Sequence, residues 1–226
     1  MEKIDLIVIG AGVVGLATAG ELARRGREVL ILEQNPVIGN ETSSRNNEVI
    51  HAGFLYPPDS LQARFCRSGA LMMIGYCRER EIEPTRWGKL VLALNEDNAT
   101  LLETLMSFGA ARGVDDLELL TPNEVRAREP RLNCLSAIYS PSSGVVDSHA
   151  FMLNVQGDAE NAGAILALNS KVTELQLNDF GMTLVIRDAD TGAETQLFCK
   201  YLINAAGLGA RAIAAALNPL SAVDAT

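Results

Sequence analysis

Two stretches of the chain carry residue types able to do chemistry. The first is "GAGVVG", in which Gly10, Gly12 and Gly15 stand in the spacing GxGxxG. Glycines spaced in this way permit a tight turn, a close backbone approach to a pyrophosphate and the packing of a helix against a strand. A helix starting there offers unpaired N–H groups and the positive end of its dipole to the phosphates. Glu33 follows 18 residues after Gly15, where a carboxylate accepts hydrogen bonds from ribose hydroxyls. Val13 and Val14 inside the loop and Gln34 after the acid are grouped with these cofactor contacts. The second stretch, "SSRNNEVIHAGFLYPP" from residue 43 to 58, has no helical or strand period. Its polar residues suit either a surface loop or the lip of a site.

These residues need elements to place them. "KIDLIVIG" is a short apolar run ending in glycine, as expected of a parallel strand buried on both faces. "VVGLATAGELARRG" has small and apolar residues at helical spacing, with Arg24 and Arg25 in the last turn and Gly26 as a stop. "REVLILE" is a second buried strand and carries Glu33 at its end. The three together form a strand, helix, strand unit with a right-handed crossover. An acid at position 33 disfavours a ligand 2′-phosphate, because two negative charges would face each other. The ligand is therefore FAD or NAD rather than NADP.

The continuation separates these two. An NAD dehydrogenase goes on alternating strands and helices to complete a doubly wound sheet. Here a long irregular segment intervenes, and strong β signal returns only after residue 165, which favours FAD. "YLINAAGLGARA" adds a buried strand delivering Ala206 and Gly207, whose small size allows close backbone approach to a cofactor. The competing reading of Gly207 is punctuation before a helix.

Between these parts the chain reads as helix ("SLQARFCRSGALMMIGYCRERE", capped by Asp59 or Ser60), strand ("GKLVLAL") and helix closed by Gly113. Thr121, Pro122 and Glu124 open a further helix with a capping box. Lys and Arg total 19 against 28 Asp and Glu, a net charge of −9, so nothing favours a nucleic-acid partner. The four cysteines have no metal-ligand spacing, and no metal site is expected. "LIVIGAGVVGLATAG" lacks the positive flank of a signal peptide, and no apolar run is long enough for a membrane span. The expectation is a cytoplasmic chain, with peripheral membrane contact left open.

The segments "IVIGAGVVGLATAGELARRGREVLILE", "SSRNNEVIHAGFLYPPDSLQARFC", "SPSSGVVDSHAFM" and "LINAAGLGA" resemble the D-amino-acid oxidase-like FAD-dependent oxidoreductases. Within them the chain is most similar to the L-2-hydroxyglutarate dehydrogenases and oxidases, from residue 4 to about residue 212. The resemblance implies an α/β fold: a Rossmann-like FAD-binding domain over 1–80 and 145–226, with an inserted, incomplete α+β substrate domain over 81–144. It implies oxidation of an L-2-hydroxy acid, L-2-hydroxyglutarate foremost, to the 2-oxo acid, with hydride passing to flavin and electrons leaving to oxygen or a quinone. Ser43, Ser44, Arg45 and Asn46 would lie along the pyrophosphate and flavin, and Val172 would meet the adenine through its backbone. His51 is the candidate catalytic base, since an unperturbed imidazole titrates near neutrality. A flavin hydrogen bond without proton transfer, or a satisfied core histidine, are its other readings. A glycine- or sarcosine-type amine oxidase and a non-catalytic FAD-binding fragment are the alternative functions. Family members are considerably longer, so a truncated chain that need not be active alone is expected.

Overall fold

Glu2–Ile9 forms the first strand, β1, and its last four residues are buried, as the apolar run requires. The structure is a computed structural model and describes residues 2–57 and 59–217. After β1 come α1 (Val13–Arg24), β2 (Val29–Leu32), a 3-10 turn at Thr42–Ser44 and β3 (Val49–Ile50). Then follow α2 (Leu61–Glu79), β4 (Lys89–Ala93), α3 (Glu96–Ala110), β5 (Glu118–Leu120), α4 (Pro122–Arg128), β6 (Ser136–Ser140) and β7 (Gly144–Val145). The chain continues through α5 (Ser148–Asn161), β8 (Ile165–Ala167), β9 (Ser170–Asn178), β10 (Gly181–Asp188) and β11 (Glu194–Asn204). A second 3-10 turn at Gly207–Gly209 leads into α6 (Ala210–Leu217).

The fold is α/β and divides into two compact units, one ending at Asn46 and resuming at Ser148, the other spanning Asn47–Asp147. In the first, six strands lie in the order β8, β2, β1, β11, β10, β9. β1 is parallel to both β2 and β11, and β2 to β8, while β10 runs antiparallel to β11 and β9. The last four residues of β1 and nearly all of β2 are buried whichever face they point to, which is why β1 reads as a continuous apolar run and not an alternating one. Helix α1 buries Gly15, Leu16, Ala19, Gly20 and Ala23. A Cβ on Gly20 would stand 3.4 Å from the Ala159 Cα of α5, so the small residues of α1 let the two helices approach closely.

The sheet core joins Ile7, Ile9, Leu32, Leu184, Ile186 and Leu197 around Cys199. Burial pushes the Cys199 thiol up to about 11, so it is a small core hydrophobe and not a reactive nucleophile. Cys199→Ser places a hydroxyl in this apolar cluster, and a loss of about 1–3 kcal/mol in denaturant unfolding is expected.

The second unit holds the antiparallel sheet β4, β6, β5 and the two-stranded pair β3, β7. Ser60 caps α2 by accepting from Ala63 N, and Thr121 and Glu124 form the anticipated capping box on α4. The division between units differs from the boundaries at 80/81 and 144/145 drawn from the sequence. Non-local bonds account for the shift: Val49 pairs with Val145 and Ile50 with Gly144, and the Arg67 guanidinium of α2 donates to Gly113 O at 3.0 Å. Segment 47–80 is thereby tied to the second unit. Among the described residues no helix is long and apolar enough to cross a membrane.

Candidate functional site

The glycine loop is built against the end of β11. Gly10 has a φ of +102°, and a Cβ there would stand 2.5 Å from Ala205 O and 3.2 Å from Ala206 Cα. A Cβ on Gly15 would overlap the Gly10 carbonyl oxygen. Gly12 is the N-cap residue of α1 and supplies no side-chain cap. The cap comes instead from across the loop, where Ser43 Oγ accepts from Val13 N at 3.1 Å. Ser43 therefore stands at the positive end of α1, where a phosphate is favoured. Val14 is 67% exposed.

Glu33 is nearly buried at 8% exposure. One carboxylate oxygen accepts from Ala11 N at 2.8 Å, and the other from Asn35 N at 2.9 Å and Asn35 Nδ2 at 2.8 Å. The acid expected to meet a ribose thus also fastens the glycine loop to the end of β2. Three of its roughly four acceptor positions are used, leaving room for one further donor. Nothing in the spacing of Glu33 from the glycines announces the bonds to Ala11 and Asn35, because they depend on how the loop folds back. Glu33→Ala strips the buried Ala11 N–H of its acceptor. A stability loss of about 1–3 kcal/mol is expected, read by thermal melting, together with weaker flavin retention.

The remaining expected cofactor contacts gather unevenly around the same strand ends. Val172 packs against the sheet core of Ile9 and Leu32, two residues beyond Ser170, whose N–H donates to Glu33 O at 2.7 Å. Ala206 N donates to Asn204 Oδ1 at 3.3 Å, and Gly207 has a φ of +52° with Thr42 Oγ1 3.9 Å from where its Cβ would be. Gln34 Nε2 donates to Glu41 Oε1 at 2.9 Å, and Asn46 Nδ2 to Ser43 O at 2.9 Å. Ser44 and Arg45 are exposed; Ser44 Oγ donates to Glu41 O within its own turn.

His51 belongs to the second unit. With Tyr56, Lys89 and Ser143 it lines a recess whose remaining wall is the backbone and apolar side chains of residues 52–55. Its ring centroid is 6.2 Å from that of Tyr56, and its carbonyl accepts from Cys66 Sγ at 3.3 Å. Burial, and secondarily the charge of Lys89, hold the imidazole below its usual value near 6.5. Burial likewise raises the Tyr56 phenol and the Cys66 thiol and lowers the Lys89 ammonium. Gly53, at φ +99°, turns the chain where a Cβ would come within 3.3 Å of Arg67 N. Lys89 was not singled out from the sequence, where "GKLVLAL" reads only as a strand.

The family described as FAD dependent oxidoreductase (DAO) matches residues 5–224. The chain belongs to this family. Among curated relatives of this DAO-family chain, the mitochondrial L-2-hydroxyglutarate dehydrogenase of Arabidopsis thaliana is 39% identical over 97% of the chain and 50% of the relative. The chain therefore spans about half the length of that relative. Among solved structures, the FAD-bound L-alpha-glycerophosphate oxidase of Mycoplasma pneumoniae superposes with a TM-score of 0.84 at 25% identity, covering 96% of this chain and 57% of that one. Glycine oxidase from Geobacillus kaustophilus gives 0.78 at 26% identity, covering 94% and 59%.

FAD is the cofactor of the DAO family, and the first unit fits its dinucleotide part. At Gly10 and Gly15 a Cβ would collide with backbone, so the loop packs closely against itself and Ala205; backbone N–H groups open α1 after it, and the Glu33 carboxylate at the loop keeps one acceptor position.

Proposed function

We propose that this chain carries the FAD-binding and proton-accepting residues of an oxidoreductase that converts an L-2-hydroxy acid, L-2-hydroxyglutarate, into its 2-oxo acid. The observation that carries the substrate choice is the 39% identity to a protein named for that activity, maintained over 97% of the chain. FAD, when bound, supplies the two-electron acceptor. Gly10, Gly12, Val13, Val14, Gly15, Ser43 and Glu33 hold its pyrophosphate and ribose; Gln34, Ser44, Arg45, Asn46, Val172, Ala206 and Gly207 complete the contacts.

Oxidising a secondary alcohol removes a hydride from carbon and a proton from oxygen. His51 takes the proton. Its depressed pKa keeps the imidazole neutral at physiological pH, the state a base requires. Electrons then leave for oxygen or a quinone.

The test is spectroscopic. Purified protein, reconstituted with FAD where necessary, is expected to show flavin absorbance that L-2-hydroxyglutarate bleaches without oxygen. Bleaching by glycine or by L-alpha-glycerophosphate, the compounds in the names of the structural relatives, would replace the substrate. Retained flavin that no substrate reduces would favour a non-catalytic FAD-binding fragment, and a protein that takes up no FAD would end the reading for this chain.

A further inference from the structure

Within the second unit, the segments that carry His51 and Lys89 are both held by one short strand. On one side of β7, Val145 and Gly144 pair with Val49 and Ile50 of β3, and Val146 N donates to Glu48 O at 3.0 Å. On the other side Val145 and Thr85 exchange two backbone hydrogen bonds of 2.9 Å, and Gly88 N donates to Ser143 O at 3.1 Å. His51 directly follows Ile50, and Lys89 directly follows Gly88. The width of β7 therefore sets the spacing between the two segments. At Gly144 this spacing depends on the absence of a side chain. The residue is buried, and a Cβ on it would stand 2.6 Å from Thr85 O, 3.3 Å from Thr85 C and 3.4 Å from Arg86 Cα. All three are backbone atoms, which cannot rotate aside. The φ of Gly144 lies outside the left-handed region, so the position demands empty space and not an unusual backbone conformation. The ladder is also closed at a local cost at its outer end, where Glu48 stands at φ +57°, a conformation rare for a residue with a side chain.

We propose that Gly144 is a positioning residue for His51: by letting the backbone of Thr85 and Arg86 close on β7, it fixes the imidazole through Ile50 of the neighbouring strand. The consequence for the reaction rests on the proton-accepting reading of His51 given above. A side chain at position 144 must push residues 85 and 86 off β7 or drive β7 toward β3. Either displacement alters the place of His51 relative to Lys89 of β4, to the Tyr56 phenol and to Cys66 of α2, whose Sγ donates to the His51 carbonyl. Among the described residues these three are the titratable groups that line the recess or bond to His51. Proton transfer weakens steeply when the accepting group is misplaced, so a change at position 144 reaches the chemistry by this backbone path.

The experiment reads His51 directly, in addition to turnover. Wild type, Gly144→Ala and Gly75→Ala are prepared as the whole chain; Gly75 lies on α2 with nothing within 4 Å of where its Cβ would be. The chain has two histidines, whose ring signals are followed by NMR through a pH titration and assigned with His149→Gln. FAD affinity and anaerobic flavin reduction by L-2-hydroxyglutarate are measured on the same proteins. Gly144→Ala is expected to shift the His51 ring signals and to move their midpoint upward toward 6.5, because burial and the charge of Lys89, which hold it down, both weaken as the segments part. Flavin reduction should slow about 10- to 100-fold. FAD affinity should stay unchanged, since the glycine loop belongs to the first unit. Gly75→Ala should match wild type in all three measurements. A Gly144→Ala protein that melts lower yet keeps the wild-type His51 titration overturns the proposal. Moved His51 signals with an unchanged reduction rate support the positioning of the ring and remove its proton-accepting role instead. Where the chain reduces no flavin, the titration alone decides. Should Gly144→Ala not fold, Thr85→Pro removes the N–H donated to Val145 O without adding bulk to β7. That variant is expected to move the His51 signals in the same direction, and unchanged signals in it overturn the proposal.

Discussion

Gly15→Val is expected to abolish flavin retention, with at least about a 100-fold loss in FAD affinity, and to give a colourless protein. The Cβ would overlap the carbonyl oxygen of Gly10. That atom belongs to backbone and cannot rotate aside as the end of a side chain can. Gly10 also lies close to the end of β11, since even a Cβ on it would come within 2.5 Å of Ala205 O. The start of α1 must therefore move away from the end of β1, carrying the N–H groups proposed to meet the phosphates. Hydrogen bonds to a charged group are worth about 1.5–3 kcal/mol each, so losing two accounts for the factor of 100. Two further variants grade the effect. Gly12→Ala meets only Ser43 Oγ, at 3.0 Å, a side-chain atom that can turn away, so a loss of a few-fold is expected. Gly26, at the far end of α1, has a φ of +79° and nothing within 4 Å of where its Cβ would be. Gly26→Ala should cost stability through backbone strain, of about 1 kcal/mol, and leave FAD affinity unchanged. Fluorescence titration with FAD and circular-dichroism melting separate the two quantities. A yellow Gly15→Val protein would mean that the pyrophosphate does not lie on this loop.

What could be read from the sequence follows the range of the interactions. The β1, α1, β2 unit is local: its apolar runs, its glycines and Glu33 fall within one short segment, and the structure reproduces it. The place of β11 beside β1 is not local. Register pairs Glu2 with Leu197, and no periodicity discloses such a partner, although the small residues after β11 do point toward a cofactor. Segment 43–58 shows the limit most clearly. It has no strand period, yet Val49 and Ile50 pair with Val145 and Gly144, a two-residue ladder too short to leave a pattern. That pair, together with the bond from Arg67 to Gly113, groups α2 with the second compact unit, a tie that no local pattern in the sequence discloses. Lys89 was invisible for a related reason. A lysine opening a strand is unremarkable until the fold sets it beside a histidine 38 positions earlier. Glu33 was recognised as an acceptor, but its hold on Ala11 N depends on loop conformation, which composition does not encode.

His51→Gln is expected to slow reduction of bound flavin by substrate about 10²–10⁴-fold, the usual contribution of a positioned general base, without altering FAD affinity. Glutamine keeps a hydrogen-bonding side chain of similar reach and removes only the ability to take up a proton. The variant thereby separates proton transfer from hydrogen bonding. The pH dependence supplies an independent signature. A base must be neutral, and burial followed by Lys89 places the His51 pKa below 6.5. The wild-type rate should accordingly hold as pH falls past 6.5 and decline only below it, a limb that His51→Gln should lack. Lys89→Met removes the second cause of the depression, so the limb should move to higher pH. Stability follows the same sign: the folded state binds the proton less readily than the unfolded chain, so the contribution of His51 is fully present above 6.5 and is lost as pH falls through its folded value. If His51→Gln reduced flavin at the wild-type rate with the acid limb unchanged, the imidazole would be a structural hydrogen-bonding group, and the proton would have to leave through another acceptor.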